Sequence, residues 1–291
     1  MTAEAILYGV GAQKAGTTWL HGWLAAHPAC HARPLKEVHY FNLSGAEAFG
    51  RRAASRRRLR ARAAARLAEG RGGEAGKPDP AGQIAAIDDW LATFEGGAAT
   101  DGDYLAYLGR GAVEAAVRVD VTPAYCGLPE AAFERMRGLA RRARFLFILR
   151  DPVDRLWSTV QMRERRVGEP TDPAALFARK IERIEGGEAS PRSDYRATLT
   201  RLARATAPEE RLTLFFEELF SQSALDRIAD FVGVPRRPGR FVRADRRPRA
   251  AAPASLERRA ERALRKQYEF VAEFFGGALP ARWERRMEFA A

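Results

Sequence analysis

The chain has 291 residues, 46% hydrophobic and 30% charged, with a formal net charge of +12. That is enough apolar material for one large α/β domain or two small ones, and it excludes wholesale disorder. No apolar run approaches the roughly eighteen residues of a membrane span. The opening Met-Thr-Ala-Glu-Ala-Ile-Leu-Tyr-Gly-Val lacks the basic and long apolar stretches of a signal peptide. Two cysteines, Cys30 and Cys126, cannot build a disulfide framework, so the expected setting is the cytoplasm.

In chain order, Ala5–Gly11 is a short apolar run ending in glycine, the mark of a buried strand. It enters Gly11-Ala-Gln-Lys-Ala-Gly-Thr-Thr-Trp19, and 17–26 reads as a helix stopped at His27-Pro28. Glycines let such a loop turn tightly and leave N–H groups facing one centre. The helix N-terminus adds partial positive charge, Lys14 a mobile full charge, and Thr17 and Thr18 hydroxyl donors. Together they make an anion cradle, the plain alternative being an ordinary strand–helix turn. The loop is not the Walker pattern G-x-x-x-x-G-K-[ST]. Gly11 and Gly16 keep its spacing, but Thr17 stands at the lysine place and Lys14 lies inside the loop.

Next comes Leu35-Lys36-Glu37-Val38-His39-Tyr40-Phe41, which sets a carboxylate and an imidazole two residues apart. Both side chains suit general-base chemistry. His21, His27, His31 and His39 all precede residue 40 but lack metal-binding spacing, so no metal is expected. The segment 44–103 is rich in Ala, Arg and Gly and reads as a basic, mostly helical insertion. It holds a helix over 51–67 and a loop over 69–82. Eight arginines (51, 52, 56, 57, 58, 60, 62 and 66) spread around that helix, which predicts a solvated face. Attraction of an acidic acceptor, or peripheral contact with an anionic membrane, is the functional alternative.

Further short β-rich runs lie at Val117–Val121, 144–149 and 212–216. Between them, 129–143 and 152–166 are amphipathic, carrying Phe133, Met136 and Leu139 on one face and Val153, Leu156, Trp157 and Val160 on the other's. Residues 255–275 read as a long C-terminal helix, and 236–253 as an Arg- and Pro-rich loop. Strands alternating with helices predict an α/β fold with a mainly parallel sheet covered on both faces. In Arg150-Asp-Pro-Val-Asp-Arg-Leu-Trp-Ser158, Arg150 follows the strand and Ser158 lies two turns into the next helix. A guanidinium at a strand's carboxyl end, with a hydroxyl, can clasp a phosphate; alone, an ion pair with Asp151 or Asp154 is the simpler reading.

These segments together resemble the sulfotransferases that use 3′-phosphoadenosine 5′-phosphosulfate. The loop is similar to their G-x-Q-K-[AC]-G-T-[ST]. Residues 150–158 are similar to R-D-P-x-[DE]-R-x-x-S, and 36–41 to the K-E-x-H-[FY]-F of heparan-type members. Asp120-Val121-Thr122-Pro123-Ala124-Tyr125 is similar to E-K-[ST]-P-x-Y, but Asp120 replaces Glu and Val121 stands where that group has an active-site lysine. The glycosaminoglycan acceptor is therefore not carried over. The resemblance spans about residues 5–160 in family order. It implies a P-loop-like three-layer α/β/α fold over 1–291 as a single domain. It implies a 5′-phosphosulfate held by Gln13, Lys14, Ala15, Gly16, Thr17, Thr18 and Trp19, and a 3′-phosphate held by Arg150 and Ser158. It also implies Lys14 at the leaving group, and Glu37 as base with His39 as second candidate. The loop around Arg246, Arg247 and Arg249 resembles the family's basic C-terminal loop, which would put Arg247 and Arg249 on the nucleotide; Pro248 sits at its usually Gly-containing centre, and a solvated charge run is the other reading.

The implied activity is sulfuryl transfer to a hydroxyl or amine of a small-molecule, lipid or carbohydrate acceptor, with 3′-phosphoadenosine 5′-phosphate as product and no metal required. A P-loop small-molecule kinase fits the loop less well, because of the displaced lysine and the paired Arg–Ser motif. A basic nucleic-acid-binding protein accounts for the charge but not the loop, and few aromatics interleave with the arginines to stack bases.

Overall fold

A computed structural model describes residues 3–70, 79–112, 115–167, 172–188, 193–239, 241 and 250–290. Five strands form one parallel sheet: β1 (Ala3–Gly11), β2 (Cys30–Ala32), β3 (Val117–Val121), β4 (Ala140–Leu149) and β5 (Arg211–Phe215), in the order β2-β3-β1-β4-β5. A sheet covered on both faces needs continuous apolar strands rather than alternating ones. Accordingly Ile6, Leu7, Tyr8 and Val10 of β1 and Phe145, Leu146, Phe147, Ile148 and Leu149 of β4 are all buried. Central β1 pairs Ile6 with Arg118 of β3 and with Ala143 of β4.

Helices α1 (Thr17–Ala25), α2 (Gly45–Ala68), α3 (Pro80–Phe94), α4 (Asp101–Gly109), α5 (Glu130–Gly138), α6 (Pro152–Val167), α7 (Pro173–Glu185), α8 (Tyr195–Ala205), α9 (Gln222–Val232), α10 (Ala254–Phe274) and α11 (Ala281–Ala290) complete a three-layer α/β/α fold. Asp79, Thr100, Asp172, Asp194 and Ser221 cap five of them by accepting from first-turn N–H groups, as short polar side chains at that position do. Helix α1 has no side-chain cap.

Three boundaries differ from expectation. Helix α2 starts at Gly45, ahead of the expected 51. The stretch 129–143 is not one helix: α5 ends at Gly138 and β4 begins at Ala140. Arg141 and Arg142 start that strand in an exposed position, where they mimic the solvent face of a helix. The loop expected over 69–82 gives way to α3 from Pro80, started by the Asp79 cap.

Strand order positions the site. The chain leaves β1 for the β2 edge and leaves β4 for the β5 edge, so connections diverge where these neighbouring strands end. Open α/β sheets bind ligands in that crevice. Here it lies between the Gly11–Gly16 loop and Arg150.

Candidate active site

Gly16 forms the hinge of the loop. It precedes α1 with φ 79°, a left-handed conformation natural to glycine. A Cβ there would lie 2.5 Å from Leu219 Cδ2 and 3.3 Å from Phe216 Cδ2, on the turn after β5. Being glycine, Gly16 also leaves the first N–H groups of α1 without a side-chain cap or an acidic neighbour. Such a helix start is a ready anion site.

Arg150 reaches the same loop. Its Nη1 donates to the Lys14 carbonyl at 2.8 Å, and its guanidinium stands 4.6 Å from the centre of the Phe216 ring. Tyr195 fixes its backbone, the hydroxyl donating to the Arg150 carbonyl at 2.6 Å. Behind it, Asp151 is fully buried, accepting from the Asp154 N–H (2.8 Å) and the Tyr268 hydroxyl (2.9 Å). Burial and the nearby Asp154 charge push the Asp151 carboxyl up to about 6, against the pull of Arg286. Arg286 of α11 joins Asp151, Asp154, Glu257 and Glu261 in one cluster, so the C-terminal helices brace the Arg150 turn. Ser158 is buried on α6.

Gln13 and Lys14 are half-buried, Ala15 and Thr17 buried, and Thr18 exposed. Trp19 is half-buried, edge-on to Phe220 (5.0 Å between ring centres) and stacked near Phe241 (6.2 Å). These rings make an aromatic shelf beside the cradle. Arg247 and Arg249 lie outside the described residues.

The 36–41 segment meets the Gly11–Gly16 loop through a residue that the loop pattern did not flag. Lys36 Nζ donates to Thr17 Oγ1 and Thr18 Oγ1, each at 3.1 Å, and lies 3.8 Å from Glu37 Oε1. Burial lowers its pKa, against the raising effect of Glu37. The Glu37 side chain is 42% exposed, whereas His39 is 2% exposed behind it, with Nε2 at 3.2 Å from Glu37 Oε2. Glu37 is therefore open to solvent and His39 is not. Burial acts to raise the Glu37 carboxyl, but the His39 ring and the charges of Lys36 and Arg52 outweigh it and hold it at about 2. His39 is lowered by burial and by Arg52, against Glu37 and Asn42.

Lys14, Glu37 and His39 share one further property. They are the three non-glycine residues with positive φ among the described residues, at 71°, 64° and 64°. Such conformations cost side-chain-bearing residues energy and cluster at functional sites. The three candidate catalytic residues are thus the three that the fold holds in this state.

The basic helix α2 is not the solvated face expected of it. Arg58 and Arg62 are exposed, but Arg52 and Arg56 turn inward onto the 36–39 segment. Arg60 makes a two-pronged pair with Asp88 of α3. A signal existed, because Arg52, Arg56 and Arg60 recur every four residues and so share a face.

Among the described residues no group of three or more His, Cys, Asp or Glu could hold a metal ion, and no helix is long and apolar enough to cross a membrane. The residues present suit an anionic nucleotide: an uncapped helix start, the Lys36 ammonium, the Arg150 guanidinium and an aromatic shelf lie beside one loop.

A search of curated proteins gave no match. Among solved structures, the chain is similar to a sulfotransferase from Alicyclobacillus acidocaldarius, at 20% identity, with 97% of this chain and 100% of that one covered and a TM-score of 0.61. It is also similar to the sulfotransferase domain from the Synechococcus PCC 7002 olefin synthase, at 18% identity, covering 96% and 98%, with a TM-score of 0.51. At these identities the likeness establishes the fold. A family model described as the sulfotransferase family matches residues 7–238. With that match covering most of its length, the chain belongs to the sulfotransferase family.

Proposed function

We propose that the protein transfers a sulfuryl group from 3′-phosphoadenosine 5′-phosphosulfate to a hydroxyl or amine of a small-molecule, lipid or carbohydrate acceptor. One observation carries this reading. Lys36 ties the anion cradle to the base segment, its ammonium 3.1 Å from both threonine hydroxyls and 3.8 Å from Glu37. A group held at the cradle and a nucleophile beside Glu37 would then face each other across one lysine.

Bound in the crevice, the nucleotide supplies an activated sulfuryl group on a phosphate leaving group. Gly16, Thr17 and Thr18 bind the 5′ end through backbone N–H and hydroxyl groups, with Gln13 and Ala15 shaping the loop. Arg150 and Ser158 take the 3′-phosphate, and Trp19 offers its ring to the base. Lys14 stabilises the negative charge that grows on the leaving oxygen, acting from a pre-set backbone conformation. Glu37, ionised throughout the working pH range, accepts the proton the acceptor loses. Its low proton affinity makes it a weak base in the free protein, so orientation carries a large share of the rate. The two cysteines are buried free thiols, which supports operation in the cytoplasm.

The test is incubation with sulfur-labelled donor and an extract of the source cells, followed by identification of the labelled product. We expect label in one acceptor class, lost in Lys14→Ala and Glu37→Gln. Absence of transfer, together with no binding of 3′-phosphoadenosine 5′-phosphate, would refute the reading.

A further inference from the structure

The inner face of α2 grips the base segment at several points. Arg56, 8% exposed, donates from Nη2 to the carbonyls of Lys36 (3.2 Å) and Glu37 (2.6 Å). Trp90 of α3 donates from Nε1 to the Val38 carbonyl at 3.0 Å. Three successive carbonyls of a segment containing two left-handed residues are thereby fixed from one side. One turn earlier on α2, Arg52 Nη2 lies 2.6 Å from His39 Nε2. The other ring nitrogen, Nδ1, lies 3.0 Å from Asn42 Oδ1.

These contacts determine where the imidazole carries its proton. A guanidinium N–H donates only and keeps its proton at any working pH. Nε2 meets opposite demands, since Glu37 Oε2 at 3.2 Å only accepts; the Arg52 contact is the shorter, at 2.6 Å, and a lone pair presented to it puts the ring proton on Nδ1, donated to Asn42. Glu37 Oε2 then receives the hydrogen bond that lowers its proton affinity only when the ring donates from Nε2. We propose that Arg52 is a positioning residue for proton transfer: by engaging the Nε2 lone pair of His39, it keeps the space between Glu37 and that nitrogen free of a proton until an acceptor delivers one. As the acceptor oxygen or nitrogen bonds to sulfur and the sulfur–phosphate oxygen bond breaks, the acceptor proton passes to Glu37 Oε2, with His39 Nε2 within reach to share it. No other reactant is needed.

The charged and titratable groups around the pair are Lys36 on its own segment, Arg52 and Arg56 from α2, and Asp120 from β3. Arg52 and burial oppose a proton on His39, while Glu37 favours one. The inference rests on the sulfuryl-transfer reading for its purpose, but not for its test. That test is nitrogen NMR of the full-length protein labelled at histidine, with the His39 signals identified by their loss in His39→Gln. We expect His39 as the Nδ1–H tautomer, with Nε2 at the shift of an unprotonated nitrogen. In Arg52→Met, His39 should take up a proton at higher pH than in wild type, and Arg52→Lys should stay with wild type. Binding of 3′-phosphoadenosine 5′-phosphate should change by no more than about twofold in Arg52→Met, because the cradle is not touched. An Nε2–H tautomer in wild type, or an unmoved titration in Arg52→Met, would overturn the proposal. Failure of wild type to bind that nucleotide would instead sink the sulfuryl-transfer reading and leave the tautomer result standing.

Discussion

Gly16→Ala is the sharpest single perturbation of the cradle. Two costs add at that position. Holding alanine in a left-handed conformation costs about 1–2 kcal/mol. Its methyl would sit 2.5 Å from Leu219 Cδ2 and 3.3 Å from Phe216 Cδ2, and relieving such overpacking costs about 1–3 kcal/mol more. For a chain of this size each kcal/mol lowers the melting temperature by roughly 2–4 °C, so the fall should be about 4–20 °C. The damage is also directional. The methyl pushes on Phe216, whose ring lies beneath the Arg150 guanidinium at 4.6 Å. Affinity for 3′-phosphoadenosine 5′-phosphate should therefore drop with stability, by tenfold or so. Gly22→Ala on the same helix is the control, because nothing lies within 4 Å of a Cβ there. It should be neutral or stabilising by about 0.5–1 kcal/mol. Differential scanning fluorimetry and calorimetric titration read both effects. A Gly16→Ala protein that melts and binds like wild type would show that this backbone turn is not the constrained anion cradle described here.

Other outcomes follow from the same geometry. Lys36→Met should weaken 3′-phosphoadenosine 5′-phosphate by about tenfold, the scale of one charge-assisted hydrogen bond, while leaving adenosine 3′-phosphate unaffected; equal loss for both ligands in calorimetry would place Lys36 away from the 5′ end. Arg286→Met removes the cation shared by Asp151, Asp154, Glu257 and Glu261, and chemical denaturation should register a loss of about 3–5 kcal/mol; a loss under about 1 kcal/mol would mean that the cluster does not hold the Arg150 turn. Asp151 gives a pH signature. Its carboxyl is raised from 3.8 to about 6, so the folded state holds its proton longer than the unfolded one. Between those values stability falls as pH rises, by roughly 3 kcal/mol in all. Urea midpoints measured near pH 4 and near pH 7 should thus differ less in Asp151→Asn than in wild type, and an unchanged difference would count against the buried, raised carboxyl.

How much of this could be read in the sequence depended on how local the cause was. The cradle was legible because its glycines, lysine and threonines act within eight residues, and a strand followed by a helix leaves one way to aim them. Arg150 was legible as a strand-end residue, but its bond to the Lys14 carbonyl was not, since 136 residues of chain separate them. The inward arginines of α2 were obscured by their own type. Arginine reads as surface on any hydropathy scale, yet Arg56 is buried with its Nη2 on two backbone carbonyls and its guanidinium over the Trp90 ring. The β4 start was misjudged for the related reason that Arg141 and Arg142 are exposed in a strand as they would be on a helix. Backbone strain at Glu37 had no signature in residue type, because glutamate, unlike histidine, is not enriched at positive φ.

The central claim is that one crevice holds an adenosine bisphosphate between the β1 loop and the β4 end. Calorimetric titration of wild type, Lys14→Ala and Arg150→Ala with 3′-phosphoadenosine 5′-phosphate tests it most directly. The account predicts one site per chain in wild type, clear weakening in Arg150→Ala, retained binding in Lys14→Ala despite lost transfer, and no comparable binding of ATP with magnesium. Absence of binding to wild type, or ATP with magnesium binding as well as the bisphosphate, would contradict it.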